Sequence, residues 1–540
     1  MKNFLFFLSL VISITSIAQN PVSYEDDYNT LPVLKTHQTE VFDMDKIMQE
    51  DVITMQERGI ENIGRVAYES MNMQNSGTWT ILADGSKLWR LQYKSIGAKG
   101  TCVYFDNYNI PEGGEVYLYS ADKSYFIGPF GAEENNDHGK FVTDIAPGET
   151  AVLEYYQPAN VIGEAKLDIL GFGYFYQGVY ESNAEDFDKL ADPCEVEVNC
   201  PEGDGWEDQR DAVVRLRMTD GVSIFFCSGT MVNNTAQDCK KYLLTALHCV
   251  NGFTADNFLL MKVRFNYERA GCEDGITITS HTRTGVFLRA DSNDGGGVNG
   301  SDFALLEVED EINESWSTYY AGWDVSTAAT PNGVGIHHPA GDRKKISTFT
   351  SPLLSATYQN ASGAHWRVTW APTVTNHGVT EGGSSGSPIF NSDKQIVGTL
   401  TGGASFCDSP YDPDFYGKMS YHWNNNPNSS GQKLKAWLDP LNTGQTTLDG
   451  IDCAAVDVDE ILYDDITLYP NPTNDQVTIE FIDQKINNLK VFNSLGVLVM
   501  DKKIDGTTYK LNLKNMPKGI YYLTFTSNKQ YQLTKKITKM

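Results

Sequence analysis

From about residue 76 to the end of this 540-residue chain, short runs of aromatic or β-branched residues alternating with polar ones follow one another, interrupted by Gly, Pro, Asn or Asp. A period of two puts successive side chains on opposite faces of a pleated strand, and turn residues end each run before it can extend. "GTCVYFDNYNIPEGGEVYLYSA", "DAVVRLRM", "SIFFCSGTMV", "KYLLTALHCV", "DFALLEVE" and "VTIEF" all follow this pattern. The predicted class is all-β. Helical spacing shows in stretches of the first block such as "DKIMQEDVITMQERG", and a late helical segment is expected around "GQKLKAWLDPL" near residue 435.

One compact core cannot absorb so long a chain, and composition shifts suggest where it divides. Residues 1–18 carry Lys2, an apolar run from Phe4 to Ile17 and small residues at Ser16 and Ala18, the pattern of an export signal. The run is short for a membrane span, which leaves an interfacial anchor as the weaker reading. Residues 19–189 form a β-rich block ending in the acidic "SNAEDFDKLADPC" region, and residues 190–453 are the largest strand-rich block. An acidic linker, 454–465, precedes a small sandwich at 466–540, whose end is rich in Lys. The net charge of −28 argues against nucleic acid or an anionic membrane as the main partner. Nine cysteines in an exported chain suggest disulfides, and no CxxC pair suggests a metal site.

The chemistry concentrates in the largest block. A serine hydroxyl is a weak nucleophile near neutral pH unless a base, usually an imidazole oriented by a carboxylate, takes its proton. "TEGGSSGSPIF" at 380–390 has the Gly, Ser and Pro content of an ordinary turn, but it also offers exposed hydroxyls. Upstream, His248 ends the apolar run "LLTALHCV", and Asp302 precedes the apolar run "FALLEV", where an unpartnered acid would be costly to bury. A core histidine and a turn-capping aspartate are the plain alternatives for each alone. Together they stand in the order His, Asp, Ser, which is the chain order of chymotrypsin-like proteases.

"TALHC", "SDFALLEV" and "GSSGSP" resemble the three catalytic boxes of trypsin-fold serine proteases, and the block resembles secreted bacterial lysyl endopeptidases. That resemblance also rests on "CPEGDG" at 200–205, "GTMVNNTA" at 229–236, "AGWD" at 321–324, "IHHP" at 336–339, "GVTEGGSSGSPIF" at 378–390 and "AWLDPLNTG" at 436–444. It implies a double β-barrel with the site in the cleft, flanked by a β-rich propeptide domain and the C-terminal sandwich. It further implies Ser385 as nucleophile, His248 as base, Asp302 as its orienting acid, and the amides of Gly383 and Ser385 as oxyanion donors. Ser384 stands where many trypsin-like zymogens carry the Asp that pairs with a new N-terminus, so activation here cannot use that ion pair. Asp414, in "YDPDFYGK", takes the position of the acid that binds a substrate Lys; Asp412 is its neighbour and competitor.

The same resemblance pairs Cys194 with Cys407, Cys200 with Cys272 and Cys227 with Cys249, leaving Cys102, Cys239 and Cys453 unassigned. It implies no cofactor and no metal; "DSNDGGGVNGSD" at 291–302 lacks EF-hand spacing and reads as a flexible loop leading to Asp302. It makes 19–189 a pro-segment cut after Lys189, leaving Leu190 as the new N-terminus. Two departures concern specificity: Thr401 stands where relatives carry an imidazole, and the region of Tyr358 lacks their indole, so Arg joins Lys as a candidate substrate residue. The tail, through "LYPNP", "VFNSLGVLV", "MPKGIYYLTF" and "TKKITKM", resembles the sorting domains read by type IX secretion machinery of Gram-negative bacteria; a carbohydrate-binding sandwich is the alternative. The expectation is a secreted or surface-attached monomeric serine endopeptidase acting on protein substrates after Lys. A trypsin-fold protease of other specificity and a silent surface adhesin are the competing readings.

Overall fold

The computed structural model describes residues 20–25, 31–177, 191–272, 277–296, 299–426, 428–453 and 466–540, the last apart from 482–485, 495–496, 505–507 and 528–531. The export signal, the region around Lys189 and Leu190, and the acidic linker therefore lie outside the described residues. The chain divides into two units, 1–454 and 455–540.

In the first unit a 3-10 turn at Val22–Tyr24 and a short strand at Thr36–Gln38 precede the expected early helix, Met44–Arg58. Asp43 caps it by accepting a hydrogen bond from the Lys46 amide, and Gly59 ends it in the left-handed conformation, φ 65°. A β-sandwich follows. One of its sheets contains β1 (Asn62–Met71), β2 (Gly100–Asn109) and β3 (Lys166–Phe175), with β3 between the other two. The second sheet, centred on Lys87–Lys94 and Thr150–Gln157, faces it. Trp89, Tyr93 and Tyr155 from one face meet Phe105 and Phe172 from the other, all fully buried.

The central block supplies β4 (Val213–Thr219), β5 (Ser223–Met231), β6 (Tyr242–Thr245), β7 (Lys262–Phe265), β8 (His281–Thr284), β9 (Val286–Asp291) and β10 (Ala304–Val308). Their ladders run β8–β7–β4–β5–β6–β10–β9. Strands β8 and β9 are consecutive and meet at Gly285, φ 94°, whose amide donates to Met261 and whose carbonyl accepts from Glu309. The sheet therefore returns to its start through the chain at Gly285 and is not closed by a ladder. Leu216, Phe225, Leu243, Val263 and Leu306 fill its interior, each contributing about 1.5–3 kcal/mol by burial.

A second sheet follows, with β11 (Gly333–His337), β12 (Lys345–Phe349), β13 (Ala361–Val368), β14 (Pro388–Asn391), β15 (Ile396–Gly403) and β16 (Asp414–Lys418) in the order β12–β11–β14–β15–β16–β13. Val196–Glu197 extends it beyond β12 and Leu354–Tyr358 extends it beyond β13, and among the described residues no ladder joins these two edges; one backbone bond, from the Ala371 amide to the Thr348 carbonyl at 2.8 Å, reaches β12 from the chain after β13. The expected closed barrels thus appear as two strongly curved sheets. Pro352 lies just before Leu354–Tyr358 and Pro372 directly after Ala371, and proline cannot donate to a ladder.

Among the described residues the N-terminal block and the central block, distinct in the sequence reading, share one twelve-stranded sheet. Strand β1 pairs antiparallel with the start of β5, Arg65 opposite Ser223 and Gly64 opposite Ile224. Around that seam Asp144 lies 3.1 Å from Lys262 and 2.8 Å from Arg264, Arg58 lies 3.0 Å from Asp220, and the Tyr68 hydroxyl donates to Gly221. Burial would raise the Asp144 pKa, but the charges of Arg264, Lys262 and Arg217 outweigh it and hold the carboxyl below its ordinary range.

Among its described residues the second unit has seven strands in two sheets, one of three and one of four. Val477, Ile479, Leu489, Val491, Leu511, Leu523 and Ile537 form its core.

Candidate active site

His248 sits on a single helical turn, Leu247–Val250, directly after β6, and is buried. The apolar residues before it commit β6 to the interior, so the imidazole emerges at the inner end of the strand. Asp302 grips it twice: its Oδ2 is 2.6 Å from His248 Nδ1, and its Oδ1 accepts the His248 backbone N–H at 2.8 Å. Asp302 is 0% exposed and adopts φ 61°, a conformation Asp tolerates better than most side chains. Burial would raise its pKa; the His248 ring, its hydrogen bonds and the more distant His365 together bring it below the ordinary value. Its own amide donates to Asp294 Oδ2 at 2.8 Å, so the described part of the 291–302 loop folds inward onto Asp302.

Ser385 lies on the turn before β14 and is 8% exposed. Its carbonyl accepts from the Ser228 amide at 2.8 Å. Next to it, Gly386 has φ 79°, and a Cβ there would collide with Thr245 Oγ1 and come within 2.8 Å of the Ala246 amide. Only glycine lets the turn press this closely against the end of β6 that carries His248. Gly383 has φ 90° for a similar reason: a Cβ would sit 2.8 Å from the Gly341 amide. Among the described residues, no hydrogen-bond acceptor engages the amides of Gly383 or Ser385.

Asp414 opens β16 and is 0% exposed. Its Oδ2 accepts from Trp370 Nε1 at 2.6 Å, Thr380 Oγ1 at 2.8 Å and Ser405 Oγ at 2.6 Å, while Oδ1 accepts the Ser405 amide at 3.2 Å. Burial pushes its pKa up, and the donors from Ser405, Trp370 and Thr380 offset part of that. Thr380 ties this acid to the loop that carries Ser385. Opposite Asp414, Gly403 leaves space a Cβ could not share with Oδ1. Asp412, two residues earlier, is exposed.

Three imidazoles near these groups were not singled out by sequence reasoning. His422 is buried, with Nδ1 2.9 Å from Ser301 Oγ and Nε2 3.0 Å from Thr399 Oγ1, so it moors the segment bearing Asp302 to β15. Burial, with a smaller push from His365, lowers its pKa to about 3. His365 on β13 lies 3.1 Å from Thr401 Oγ1, and its ring centroid is 5.5 Å from that of Tyr358, edge-on. An imidazole thus does reach Thr401, delivered from another strand. Burial lowers its pKa to about 4, partly resisted by Asp302. The third, His337, lies under the Ser384 side chain. No pattern in the sequence marks the first two; the doubled imidazole in "IHHP" was the one visible hint of the third.

Disulfides join Cys194 to Cys407, Cys200 to Cys272, Cys227 to Cys249 and Cys239 to Cys453, the last unassigned from sequence. Cys102 is buried on β2. Cys227, His248 and Cys249 lie close enough together to suggest a metal site, but both sulfurs are bonded to each other.

Residues 189–417 match the family model for the lysyl endopeptidase C-terminal domain, and residues 467–540 match that for the secretion system C-terminal sorting domain. A lysyl endopeptidase of Pseudomonas aeruginosa is 27% identical over 367 residues, covering 63% of this chain and 76% of that protein. Ulvan lyase NLR42 of Nonlabens ulvanivorans is 26% identical over 213 residues, 35% of this chain and 37% of that protein. Among solved structures, the active form of the Rv3671c protease from M. tuberculosis is 15% identical, with 44% and 89% coverage and a TM-score of 0.27. The protease Anisep from Arthrobacter nicotinovorans is 17% identical, with 38% and 90% coverage and a TM-score of 0.29.

Proposed function

For this lysyl endopeptidase-like serine endopeptidase, exported with a type IX sorting domain, we propose hydrolysis of peptide bonds after Lys by a triad of His248, Asp302 and Ser385. The observation that carries the reading is the double grip of buried Asp302 on His248. A carboxylate on Nδ1 keeps the proton there and leaves Nε2 as the base. His248 then takes the Ser385 proton as Oγ attacks the carbonyl carbon, and returns it to the departing amine. The tetrahedral oxyanion is received by the amides of Gly383 and Ser385. Attack of water on the acyl-enzyme, with His248 again as base, completes the cycle.

Asp414 binds the substrate ammonium in the space left by Gly402 and Gly403. A buried carboxylate offers a Lys head group a charge-assisted bond that a neutral pocket does not. The Arg guanidinium is bulkier. Tyr358, whose hydroxyl would lie 3.1 Å from a Cβ at Gly402, borders that space and stacks edge-on with His365, the partner of Thr401. One observation favours a different specificity: Asp414 Oδ2 already has three donors, so a substrate ammonium has only Oδ1 to address.

The block 19–189 is the pro-segment, cut after Lys189, and the mature enzyme works as a monomer on protein chains. Labelling the processed protein with a fluorophosphonate tests the nucleophile: tagging of Ser385, lost in Ser385→Ala, is expected, and an untagged parent refutes it. Peptides differing only in Lys, Arg or Leu before the scissile bond test the pocket. Asp414→Asn should lower kcat/KM for Lys peptides by about 10²–10³, the cost of leaving a charge buried without its partner. An equal loss on Leu peptides would assign Asp414 to structure alone. N-terminal sequencing of secreted Ser385→Ala checks self-processing; a native Leu190 terminus would show it is dispensable.

A further inference from the structure

Three successive residues of the turn that carries Ser385 are anchored by one segment, which the buried Glu195 carboxyl approaches from the other side, 3.8 Å from His337 Nε2. The Ala340 amide donates to the Gly382 carbonyl at 2.5 Å. Ser228 Oγ donates to the Gly383 carbonyl at 2.9 Å and itself accepts the His338 amide at 2.9 Å. The Ser384 hydroxyl lies 2.8 Å from His337 Nδ1. His337, His338, Ser228 and Ser384 are all buried.

The direction of each bond around His337 follows from its neighbours. Ser347 Oγ donates to the Val379 carbonyl at 2.7 Å, so it accepts from His337 Nε2–H at 3.1 Å. Nδ1 is then unprotonated and accepts from the Ser384 hydroxyl, which in turn accepts the Glu381 amide at 3.2 Å. Glu195 Oε2, at 3.8 Å from Nε2, is farther than Ser347 Oγ and beyond hydrogen-bond reach. Burial, with the nearby Lys345 charge, lowers the His337 pKa to about 3, so this arrangement is neutral at working pH. Gly341 is held in its turn by the Phe226 ring, against which a Cβ would clash, and its carbonyl accepts from Arg215.

We infer that residues 337–341, His-His-Pro-Ala-Gly, together with Ser228 form a positioning cradle that holds the Gly383–Ser385 amides in oxyanion-binding geometry without any N-terminal ammonium. This rests on Ser385 being the nucleophile. The cradle lies wholly within the central block, so the oxyanion site exists before the N-terminal block is removed. Activation then consists of uncovering a formed site, and no residue of the cradle touches substrate.

The test uses the processed enzyme with Ser384→Ala, Ser228→Ala, His337→Leu and His337→Asn. Three quantities are measured: kcat, KM on one peptide, and inhibition by the matching peptide aldehyde, whose hemiacetal oxygen occupies the oxyanion site. Ser384→Ala should lower kcat by about 10²-fold and weaken the aldehyde by a similar factor, with KM within about threefold, as expected for misplaced oxyanion donors. His337→Asn, whose amide oxygen can replace Nδ1 as acceptor, should restore most of what His337→Leu loses. His337→Leu combined with Ser384→Ala should be no worse than the poorer single variant. If His337→Leu fails to fold, Ser384→Ala and Ser228→Ala, each removing one oxygen, decide the matter. Unchanged kcat and aldehyde affinity in both, or a loss carried by KM alone, overturns the cradle. A parent enzyme unlabelled at Ser385 overturns the triad and the cradle together, whereas a labelled parent with an unaltered Ser384→Ala overturns the cradle only.

Discussion

Asp302→Asn changes one atom in a site where both carboxylate oxygens already have assigned donors. Oδ1 receives the His248 backbone N–H at 2.8 Å and Oδ2 receives ring Nδ1–H at 2.6 Å. An amide has one acceptor and one donor end, so one of these N–H groups must face an NH2. The backbone proton cannot leave, whereas the ring proton can move to Nε2. The amide oxygen therefore settles on the backbone N–H, its NH2 faces Nδ1, and the imidazole becomes the Nε2–H tautomer. In the proposed mechanism a donor then points where the Ser385 proton must go. In the serine-protease template this tautomer error costs about 10⁴ in kcat, or about 5.5 kcal/mol at 1.36 kcal/mol per decade. Because Asp302 does not contact substrate in this scheme, KM should stay within about threefold. Steady-state kinetics on a Lys peptide, with thermal unfolding to confirm that the variant is folded, measures both. A kcat within tenfold of the parent, or a loss confined to KM, would refute the orienting role of Asp302.

Two further outcomes follow from the structure. Replacing Cys227 and Cys249 together by Ser opens a 22-residue separation beside His248 and should cost about 3 kcal/mol in the loop-entropy picture, read as a lower Tm. Glu134, in the N-terminal block, has its pKa raised to about 7 by burial against the pull of Lys262 and Arg283, with Glu133 and Asp144 adding to the rise. A carboxyl whose folded pKa is raised favours the fold while protonated, so stability falls as pH climbs from the ordinary Glu range to about 7 and is flat above it. Glu134→Gln should remove that fall, raising stability at pH 8 by up to about 3 kcal/mol with little change at pH 4. Thermal melts across that range check it; parallel curves for parent and variant would refute the assignment.

Much of the fold was readable because its cause is local. Alternation in "DAVVRLRM" and "KYLLTALHCV" commits one face to a core, and Gly, Pro and Asn between runs permit the turns. The first helix is likewise local in origin: the stretch "DKIMQEDVITMQERG" carries it and ends at Gly59, which closes it. The candidate triad was readable for a related reason: His248 and Asp302 are polar residues at the edges of apolar runs, where burial demands a partner. The reading separated the N-terminal and central blocks because nothing local in "NIGRVAYESM" says that β1 will pair with β5. Whether the second sheet closes is likewise not local, since it depends on how the edges at Val196–Glu197 and Leu354–Tyr358 approach in space.

By itself, then, the amino-acid sequence determined the all-β class, the early helix, the order of the candidate catalytic groups and the glycines that let the Ser385 turn form, because each depends on a residue and its near neighbours. Tertiary structure alone decided that β1 extends the central sheet, that Cys239 meets Cys453, that His365 reaches Thr401 and that His337 lies beneath Ser384. Those partners are separated by 36 to more than 200 positions. Which of nine imidazoles faces which hydroxyl is settled only when curved sheets pack and buried polar groups must find partners or remain unsatisfied.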